Sequence, residues 1–338
     1  MFDLPGSWVW DYWFADDGER YHLFFLYASR ALGDPDARHY RASIGHAVST
    51  DLVEWTQVTD ALVRSDGPAF DDLATWTGSV VRHPDGTWFM FYTGSTLAAG
   101  GKNVQRIGYA TSDDLEVWTK APGPVLEAAH PWYETLEDGA WHDEAFRDPW
   151  VFADPSGDGW HMLITARART GVATGRGVIG HAVSRDLRRW ELRPPLTAPS
   201  ETGFGQLEVM QVEVVEGRPV LLFSCLAEHA TTARAGTTGG TWAVPAGGLL
   251  GPFGMEAAYP LTDDRLYVGR LLRRREDGQW LLFAFRNVGD DAPFVGGVSD
   301  PMPVAWVDGR LTVAATAGAA AGAAAGSATD AGERHLTT

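Results

Sequence analysis

The sequence predicts an all-β fold, a five-bladed β-propeller, on three observations. One strand-like segment recurs along the chain, a second segment occurs in five copies, and no amphipathic helix is evident between them. The composition agrees, because 15 Trp, 15 Phe and 9 Tyr supply bulky strand residues while 39 Gly and 19 Pro supply turns. Five such units fit the blades of a propeller, each a small sheet beside a central channel.

The clearest repeat predicts a strand, a turn and an outer strand. Its copies read IGHAVSTDLVEW from Ile44, IGYATSDDLEVW from Ile107 and IGHAVSRDLRRW from Ile179. Apolar and polar residues alternate at the start of each copy, and the pattern breaks at Ser-x-Asp-Leu before a Trp. The acids at that break are predicted to be turn residues, namely Asp51, Asp114 and Asp186.

The second repeated segment sets the number of blades. Its copies are ERYHLFFLY from Glu19, GTWFMFYTG from Gly86, GWHMLITAR from Gly159, GRPVLLFSC from Gly217 and GQWLLFAFR from Gly278. They start 67, 73, 58 and 61 residues apart. We therefore expect one propeller domain over residues 1–313, followed by a low-complexity, disordered tail rich in Ala and Gly over residues 314–338.

The charge balance excludes several classes of partner. The chain has 27 Lys and Arg against 44 Asp and Glu, a net charge of −17, which repels nucleic acid and anionic membranes.

No apolar run reaches the length of a membrane span, and the segment MFDLPGSWVWDYW lacks the regions of a signal peptide, so we expect a cytoplasmic protein. With Cys225 as the only cysteine, and neither metal-ligand spacing nor a phosphate-binding loop, no metal and no cofactor are indicated.

Three acids stand out on the predicted inner strands. Counting back 10–12 residues from the second segment of each repeat reaches Asp11, the Thr77 region, Asp148, Glu208 and the Gly269 region. The acids Asp11, Asp148 and Glu208 lie among aromatic or apolar residues, where burying a carboxylate is costly unless it has a use. We predict that they reach equivalent depths in the channel and form a site there.

Acids that converge in this way suit glycoside hydrolysis. That reaction uses one carboxyl group as proton donor to the leaving oxygen and a second as nucleophile or base, and a third can position the sugar. Trp10 and Trp76 offer flat apolar faces to the C–H groups of a sugar, although Trp side chains in a propeller also pack between blades.

The segments around the acids resemble glycoside hydrolase families 32 and 68. Residues 8–13, WVWDYW, resemble the nucleophile segment VWD-S/T-W of family 68 and take the place of WMNDPNG in family 32, without its Asn and Pro. Residues 76–79, WTGS, resemble W-S-G-S of family 32, and residues 146–149, FRDP, match a motif of the whole clan. Residues 207–210, LEVM, stand where family 32 has E-C-P and keep only its Glu. The resemblance extends over roughly residues 8–286.

The resemblance implies an activity and a role for each acid. It implies a retaining enzyme of β-fructofuranosidase type that cleaves or transfers fructosyl units from sucrose or short fructosides. Asp11 would be the nucleophile, Asp148 would bind sugar hydroxyls and stabilise the transition state, and Glu208 would be the general acid/base. Arg147 would be the charge partner beside Asp148.

Further substrate-binding candidates come from the same segments and from the inner strands. They are Trp10, Trp76, Ser79, Arg147, His142, Gln211 and Tyr267. For Gln211 and Tyr267, packing or hydrogen bonding between blades is an equal alternative. Two other functions stay open: an inverting arabinosidase or xylosidase resembling family 43, and a sugar-binding propeller without catalysis.

Overall fold

Five antiparallel sheets of four strands each make up the computed structural model, which describes residues 1–314. The strands are β1 (Ser7–Asp16), β2 (Tyr21–Ser29), β3 (Ser43–Ser49), β4 (Thr56–Gln57), β5 (Ala74–Arg82), β6 (Trp88–Leu97), β7 (Asn103–Ser112), β8 (Thr119–Lys120), β9 (Phe146–Ala153), β10 (Trp160–Arg167), β11 (Gly177–Ser184), β12 (Trp190–Arg193), β13 (Glu208–Val215), β14 (Arg218–Cys225), β15 (Gly240–Pro245), β16 (Tyr259–Pro260), β17 (Leu266–Arg273), β18 (Trp280–Arg286), β19 (Met302–Val307) and β20 (Arg310–Val313). Short 3₁₀ helices lie in the loops at Arg30–Leu32, Pro35–Arg41, Leu136–Asp138, Ala173–Gly175, Ala227–His229, Thr232–Arg234 and Met255–Ala257.

The sheets are the blades of a propeller. Within each sheet four strands follow one another in chain order, and the first strands of successive blades, β1, β5, β9, β13 and β17, contact their neighbours around a ring. The hydroxyl of Tyr12 on β1 donates to the carbonyl of Val268 on β17 at 3.1 Å, which joins the first blade to the last. The predicted five-bladed β-propeller is confirmed. Within residues 1–314, no helix has the length and apolarity that crossing a membrane requires.

The two sequence repeats correspond to fixed strands of the blades. The five copies of the second segment form the second strands, β2, β6, β10, β14 and β18, and the three copies of the first repeat form β3, β7 and β11. The predicted turn follows each of the latter three. In the second blade, for example, Asp114 accepts hydrogen bonds from the backbone N–H groups of Glu116 and Val117, both at 2.9 Å. The turn prediction for the repeated acids is therefore confirmed.

Every inner strand carries a one-residue bulge at the same level of the ring. The register shifts lie between Trp10 and Tyr12, between Trp76 and Gly78, between Arg147 and Trp150, between Glu208 and Gln211, and between Tyr267 and Arg270. A bulge inserts an unpaired residue into a strand and re-aims its side chain, and bulges are common next to active sites. The five bulges therefore turn side chains from all blades toward one level of the channel.

Three of the bulges contain a residue with left-handed backbone. The φ angles are 56° at Asp148, 51° at Val209 and 53° at Val268, a conformation that is unfavourable for β-branched residues. In each case a side-chain hydroxyl of the preceding blade accepts a hydrogen bond from the backbone N–H group of the left-handed residue. The three acceptors are Thr93 for Asp148 at 2.9 Å, Thr165 for Val209 at 3.2 Å and Ser224 for Val268 at 2.9 Å. These bonds hold the bulges and connect successive blades.

The tail prediction falls almost wholly beyond the part of the chain that the structure describes. Strand β20 ends at Val313, and of the predicted tail 314–338 only Ala314 is described.

The hydroxyl contacts give a test of how the bulges are held. Ser224→Ala would leave the buried N–H of Val268 without its acceptor, so we expect the free energy of unfolding to fall by about 1–3 kcal/mol. Denaturant unfolding measures this change. Ser156→Ala is the control, because Ser156 lies in an exposed turn, where its hydroxyl donates a hydrogen bond to Asp154. Equal losses in the two variants would show that the bulge does not depend on this contact.

Candidate active site

A cavity of about 700 Å³ opens at the level of the bulges. Its lining includes the three predicted acids, Asp11, Asp148 and Glu208. The predicted residues Trp10, Trp76, Arg147, His142 and Tyr267 line it as well. A volume of this size is within the range of small-molecule sites, which run from about 300 to 1,000 Å³.

Asp11 is the extra residue of the bulge in β1. The hydroxyl of Thr77, the extra residue of the bulge in β5, donates a hydrogen bond to Oδ2 of Asp11. Burial, followed by the negative charge of Asp148, raises the pKa of Asp11 to about 7, although the bond from Thr77 acts in the opposite direction. The carboxyl group is therefore poised to change charge near neutral pH.

Asp148 is the most deeply buried of the three acids, with 2% of its surface exposed. Its Oδ2 accepts a hydrogen bond from the Thr165 hydroxyl at 2.9 Å and one from the backbone N–H of Val209 at 3.2 Å. Burial raises the pKa of Asp148, while the guanidinium of Arg147, with Nε 3.4 Å from Oδ2, favours the ionised form. The same Thr165 hydroxyl supports the bulge of the next blade, so the position of Asp148 is coupled to that of Val209.

Glu208 is held by two donors. Arg147 donates from Nη2 to Oε1 at 2.8 Å, and the Tyr267 hydroxyl donates to Oε2 at 2.5 Å. Burial and the negative charge of Glu208 raise the pKa of Tyr267 well above its usual value, so this phenol stays a proton donor to the carboxylate. Each oxygen of Glu208 therefore has its own donor, one on β9 and the other on β17, and the two donors fix the orientation of the carboxylate.

Arg147 forms ion pairs with Asp148 and Glu208, and Gln105 holds its guanidinium in place. Burial lowers its pKa, but the charges of Glu208 and Asp148 outweigh this effect and leave the pKa above its usual range. Gln105 on β7 accepts a hydrogen bond from Nη1 of Arg147 at 3.1 Å and donates to Oδ2 of Asp143 at 2.7 Å. Sequence reasoning missed Gln105, because it lies on the third strand of its blade, two residues before the repeat that begins at Ile107, and nothing in the sequence distinguishes it from other strand residues.

The three acids occupy different positions within their bulges. Aligned on their left-handed residues, the bulges place Asp148 at the position of Val209 and Val268, whereas Glu208 is at the position of Arg147 and Tyr267. The acids are therefore not at equivalent positions of their strands. They meet because side chains of neighbouring bulge positions point into the same cavity.

Two predicted substrate-binding residues lie elsewhere. Ser79 is buried and accepts a hydrogen bond from the backbone N–H of Val151 at 3.1 Å. Gln211 bonds both backbone groups of Leu271, each at 2.8 Å, and so connects the fourth blade to the fifth. Neither residue lines the cavity, because each side chain is used between adjacent inner strands. For Gln211 this is the alternative that the sequence left open.

The rim of the cavity holds the predicted His142 and residues that the sequence did not single out. The His142 side chain is 71% exposed. Arg38, in the 3₁₀ helix Pro35–Arg41, and His229, in the 3₁₀ helix Ala227–His229, also line the cavity. Their loops carry no repeated motif, so sequence reasoning had no signal for them. Among residues 1–314, no group of three or more His, Cys, Asp or Glu side chains is arranged to hold a metal ion.

A family model places the chain among known proteins. The model "Glycosyl hydrolases family 32 N-terminal domain" matches residues 14–244, which begins three residues after Asp11 and ends within the fourth blade. Curated relatives match shorter stretches. Acid beta-fructofuranosidase 4, vacuolar, of Arabidopsis thaliana is 31% identical over 45% of this chain, and fructan 1-exohydrolase w2 of Triticum aestivum is 38% identical over 36%. These matches span 21% and 19% of the relatives' own lengths.

Solved structures share the fold over nearly the whole chain. The inulosucrase from Halalkalicoccus jeotgali bound to kestose has a TM-score of 0.75 at 24% identity, with 92% of this chain and 87% of that chain covered. The levansucrase from Gluconacetobacter diazotrophicus has a TM-score of 0.72 at 17% identity, with coverages of 93% and 82%. At such identities the likeness concerns the fold, which extends through the fifth blade.

The raised pKa of Asp11 predicts how this residue affects stability with pH. In the unfolded chain the carboxyl ionises near the ordinary value of 3.8, so burying it costs stability increasingly as the pH rises from there to about 7. We expect Asp11→Asn to raise the melting temperature by roughly 2 °C or more at pH 8 and by less at pH 5. Calorimetry at the two pH values measures the difference.

Asp114→Asn is the matched control for this experiment. Backbone hydrogen bonds lower the pKa of Asp114, so its loss should bring no gain in melting temperature at pH 8. A gain from Asp11→Asn that is larger at pH 5 than at pH 8 would contradict the burial argument.

Proposed function

Because the chain belongs to glycosyl hydrolase family 32, we propose that it is a retaining enzyme of β-fructofuranosidase type. Its substrates would be sucrose or short fructosides, with water or a sugar as the acceptor of the fructosyl unit. The observation that carries the proposal is the convergence of Asp11, Asp148 and Glu208 in one cavity, with Arg147 between the latter two. Curated relatives named beta-fructofuranosidases, which this chain matches over part of their length, support the substrate class.

In the first step of this mechanism, the Asp11 carboxylate attacks the anomeric carbon of the fructosyl unit. The bond to the leaving oxygen breaks, and Glu208, which enters this step as the protonated acid, gives its proton to that oxygen and becomes a carboxylate. Thr77 occupies Oδ2 of Asp11, which leaves the other oxygen for the sugar. Asp148, held by Thr165 and Val209, accepts hydrogen bonds from sugar hydroxyls and its charge stabilises the oxocarbenium-like transition state.

In the second step, Glu208 takes a proton from water or from an acceptor hydroxyl. The activated oxygen attacks the anomeric carbon, the bond to Asp11 breaks, and the configuration of the substrate is restored. Arg147 and Tyr267 each donate to one oxygen of the Glu208 carboxylate and so orient it as the base of this step. Trp10 and Trp76 line the same cavity and offer apolar faces to the ring of the sugar.

The two alternative functions make different predictions. The family match speaks against the inverting, family 43-like enzyme, and that enzyme would produce the opposite anomer. A sugar-binding propeller without catalysis would bind ligand and release no product. Turnover and the stereochemistry of the product separate all three functions.

Product analysis on a substrate panel tests the proposal directly. The panel contains sucrose, sucrose phosphate, inulin and levan oligomers, and nitrophenyl arabinoside and xyloside. We expect release or transfer of fructosyl units, with retention of the anomeric configuration when NMR follows a reaction that transfers the unit to an alcohol. Cleavage of the arabinoside or xyloside with inversion would replace the proposal by the family 43-like alternative.

Variants of the two reacting acids separate their roles. Glu208→Gln should lose on the order of 10² to 10⁴ in rate on sucrose, but far less in the first step on a fructoside whose leaving group needs no proton. Asp11→Asn should be inactive on both substrates, because an activated leaving group cannot replace the nucleophile. Steady-state and burst kinetics provide the measurement, and activity of Asp11→Asn on the activated fructoside would remove Asp11 from its role.

The charge of Asp148 is tested by a pair of Asn variants. Asp148→Asn should keep the fold, as judged by circular dichroism, yet lose most turnover, because the transition state loses a negative charge beside it. Asp114→Asn, in the exposed turn of the second blade, should retain full turnover. Similar losses of turnover in both variants, at similar stability, would contradict the role of the Asp148 charge in the transition state.

A further inference from the structure

Arg38 is a buried cation in the loop between β2 and β3, and the mechanism above does not use it. Only 8% of its surface is exposed. Its guanidinium lies 3.8 Å from the ring centre of Phe294 and 5.4 Å from that of Trp10, the residue next to Asp11. Nη1 donates to the backbone carbonyl of Pro35 at 2.7 Å and lies 3.4 Å from Oδ1 of Asp36, a carboxylate that also lines the cavity. Stacking on two rings and this bond fix the cation at the wall of the cavity that holds Asp11.

The charges around Asp11 show why a cation at this wall matters. The other two acids of the site, Asp148 and Glu208, disfavour its negative charge, and the un-ionised phenol of Tyr267 brings no positive charge to offset them. Arg147 is already paired with Asp148 and Glu208. A nucleophile in this setting needs a cation of its own if it is to be ionised at neutral pH.

Two arginines remain to act on Asp11 electrostatically, and they differ in how they are placed. Arg270 on β17 donates to the carbonyl of Met210 at 2.7 Å, lies over Trp150, and does not line the cavity. Arg38 lines the cavity, and its charge favours the ionised form of Asp11. Burial lowers the pKa of Arg38, while the charges of Asp36 and then of Asp11 favour its protonated form. Of these two arginines, Arg38 is the one on the cavity wall, and it is buried there, whereas Lys102, which also lines the cavity, is exposed.

We propose that Arg38 is the positioning residue of the nucleophile: clamped between Trp10 and Phe294, it supplies the positive charge that faces the Asp11 carboxylate within the cavity. Because Phe294 belongs to the loop after β18 and Trp10 to β1, the clamp lies where the fifth blade meets the first. Closure of the ring and ionisation of the nucleophile are thereby linked through one side chain. The kinetic part of this inference rests on the proposed function.

The pH dependence of kcat/KM on sucrose tests the proposal. With Asp11 titrating at about pH 7, the wild type should lose activity as the pH falls through that value. Arg38→Met keeps a long apolar side chain against the rings but removes the charge, so its acidic limb should move upward by roughly half a pH unit or more. Arg38→Lys restores the charge and should return the limb toward the wild-type position.

Arg30→Met is the matched control. Arg30 lies in the same loop, stacks on Trp8 at 5.5 Å and donates to the carbonyl of Val295 at 2.8 Å, so it also joins the first blade to the loop that carries Phe294. It does not line the cavity. Arg30→Met should lower the melting temperature without moving the acidic limb. An Arg38→Met limb that coincides with the wild-type limb, or an equal shift in Arg30→Met, would overturn the proposal.

A stability measurement tests the effect of the Arg38 charge on Asp11 without an activity assay. The gain in melting temperature from Asp11→Asn should rise with pH and level off at the pKa of Asp11. In the Arg38→Met background the levelling should occur at a higher pH, and an unchanged position would also overturn the proposal. If the wild type turns over no fructoside, the proposed function fails, while this measurement still decides whether Arg38 acts on Asp11.

Discussion

Arg147 reaches between two carboxylates that would otherwise repel each other inside a buried cavity. Its Nη2 lies 2.8 Å from Glu208 and its Nε 3.4 Å from Asp148, while its Nη1 donates to Gln105 at 3.1 Å. Removing one partner of a buried ion pair costs about 3–5 kcal/mol, because the remaining charge stays uncompensated. The site can therefore hold its acids together only while Arg147 is in place. With Arg38 proposed as the cation for Asp11, each of the three acids Asp11, Asp148 and Glu208 has a positive partner.

The propeller provides the geometry that these charges need. A bulge in each inner strand aims side chains at one level of the channel, and three bulges use left-handed residues that a regular strand would not tolerate. Thr93, Thr165 and Ser224 hold them by accepting bonds from one blade to the next. Thr165 in addition donates to Asp148, so a contact that supports the fold also orients a reacting group. The Thr165 hydroxyl thus stabilises a left-handed bulge residue and orients Asp148 at the same time.

The features that could be predicted from the sequence are those marked by a repeat or by a motif. Strand periodicity and turn chemistry are local, so the blades, the turns at residues such as Asp114 and the three acids could be predicted from the chain alone. Bulge register, the role of Gln105 and the placement of Gln211 between blades depend on contacts between distant segments, which no local pattern encodes. The cytoplasmic location and the disorder of the tail stay predictions.

The central claim is that a fructosyl unit becomes covalently attached to Asp11. The most direct test is rapid quenching of Glu208→Gln during reaction with an activated fructoside, followed by mass spectrometry of the intact protein and of its peptides. In this variant the second step lacks its base, so the account predicts accumulation of protein that is heavier by one fructosyl unit, with the added mass on the peptide that contains Asp11. Rapid release of the leaving group without any adduct, or an adduct on another residue, would contradict it.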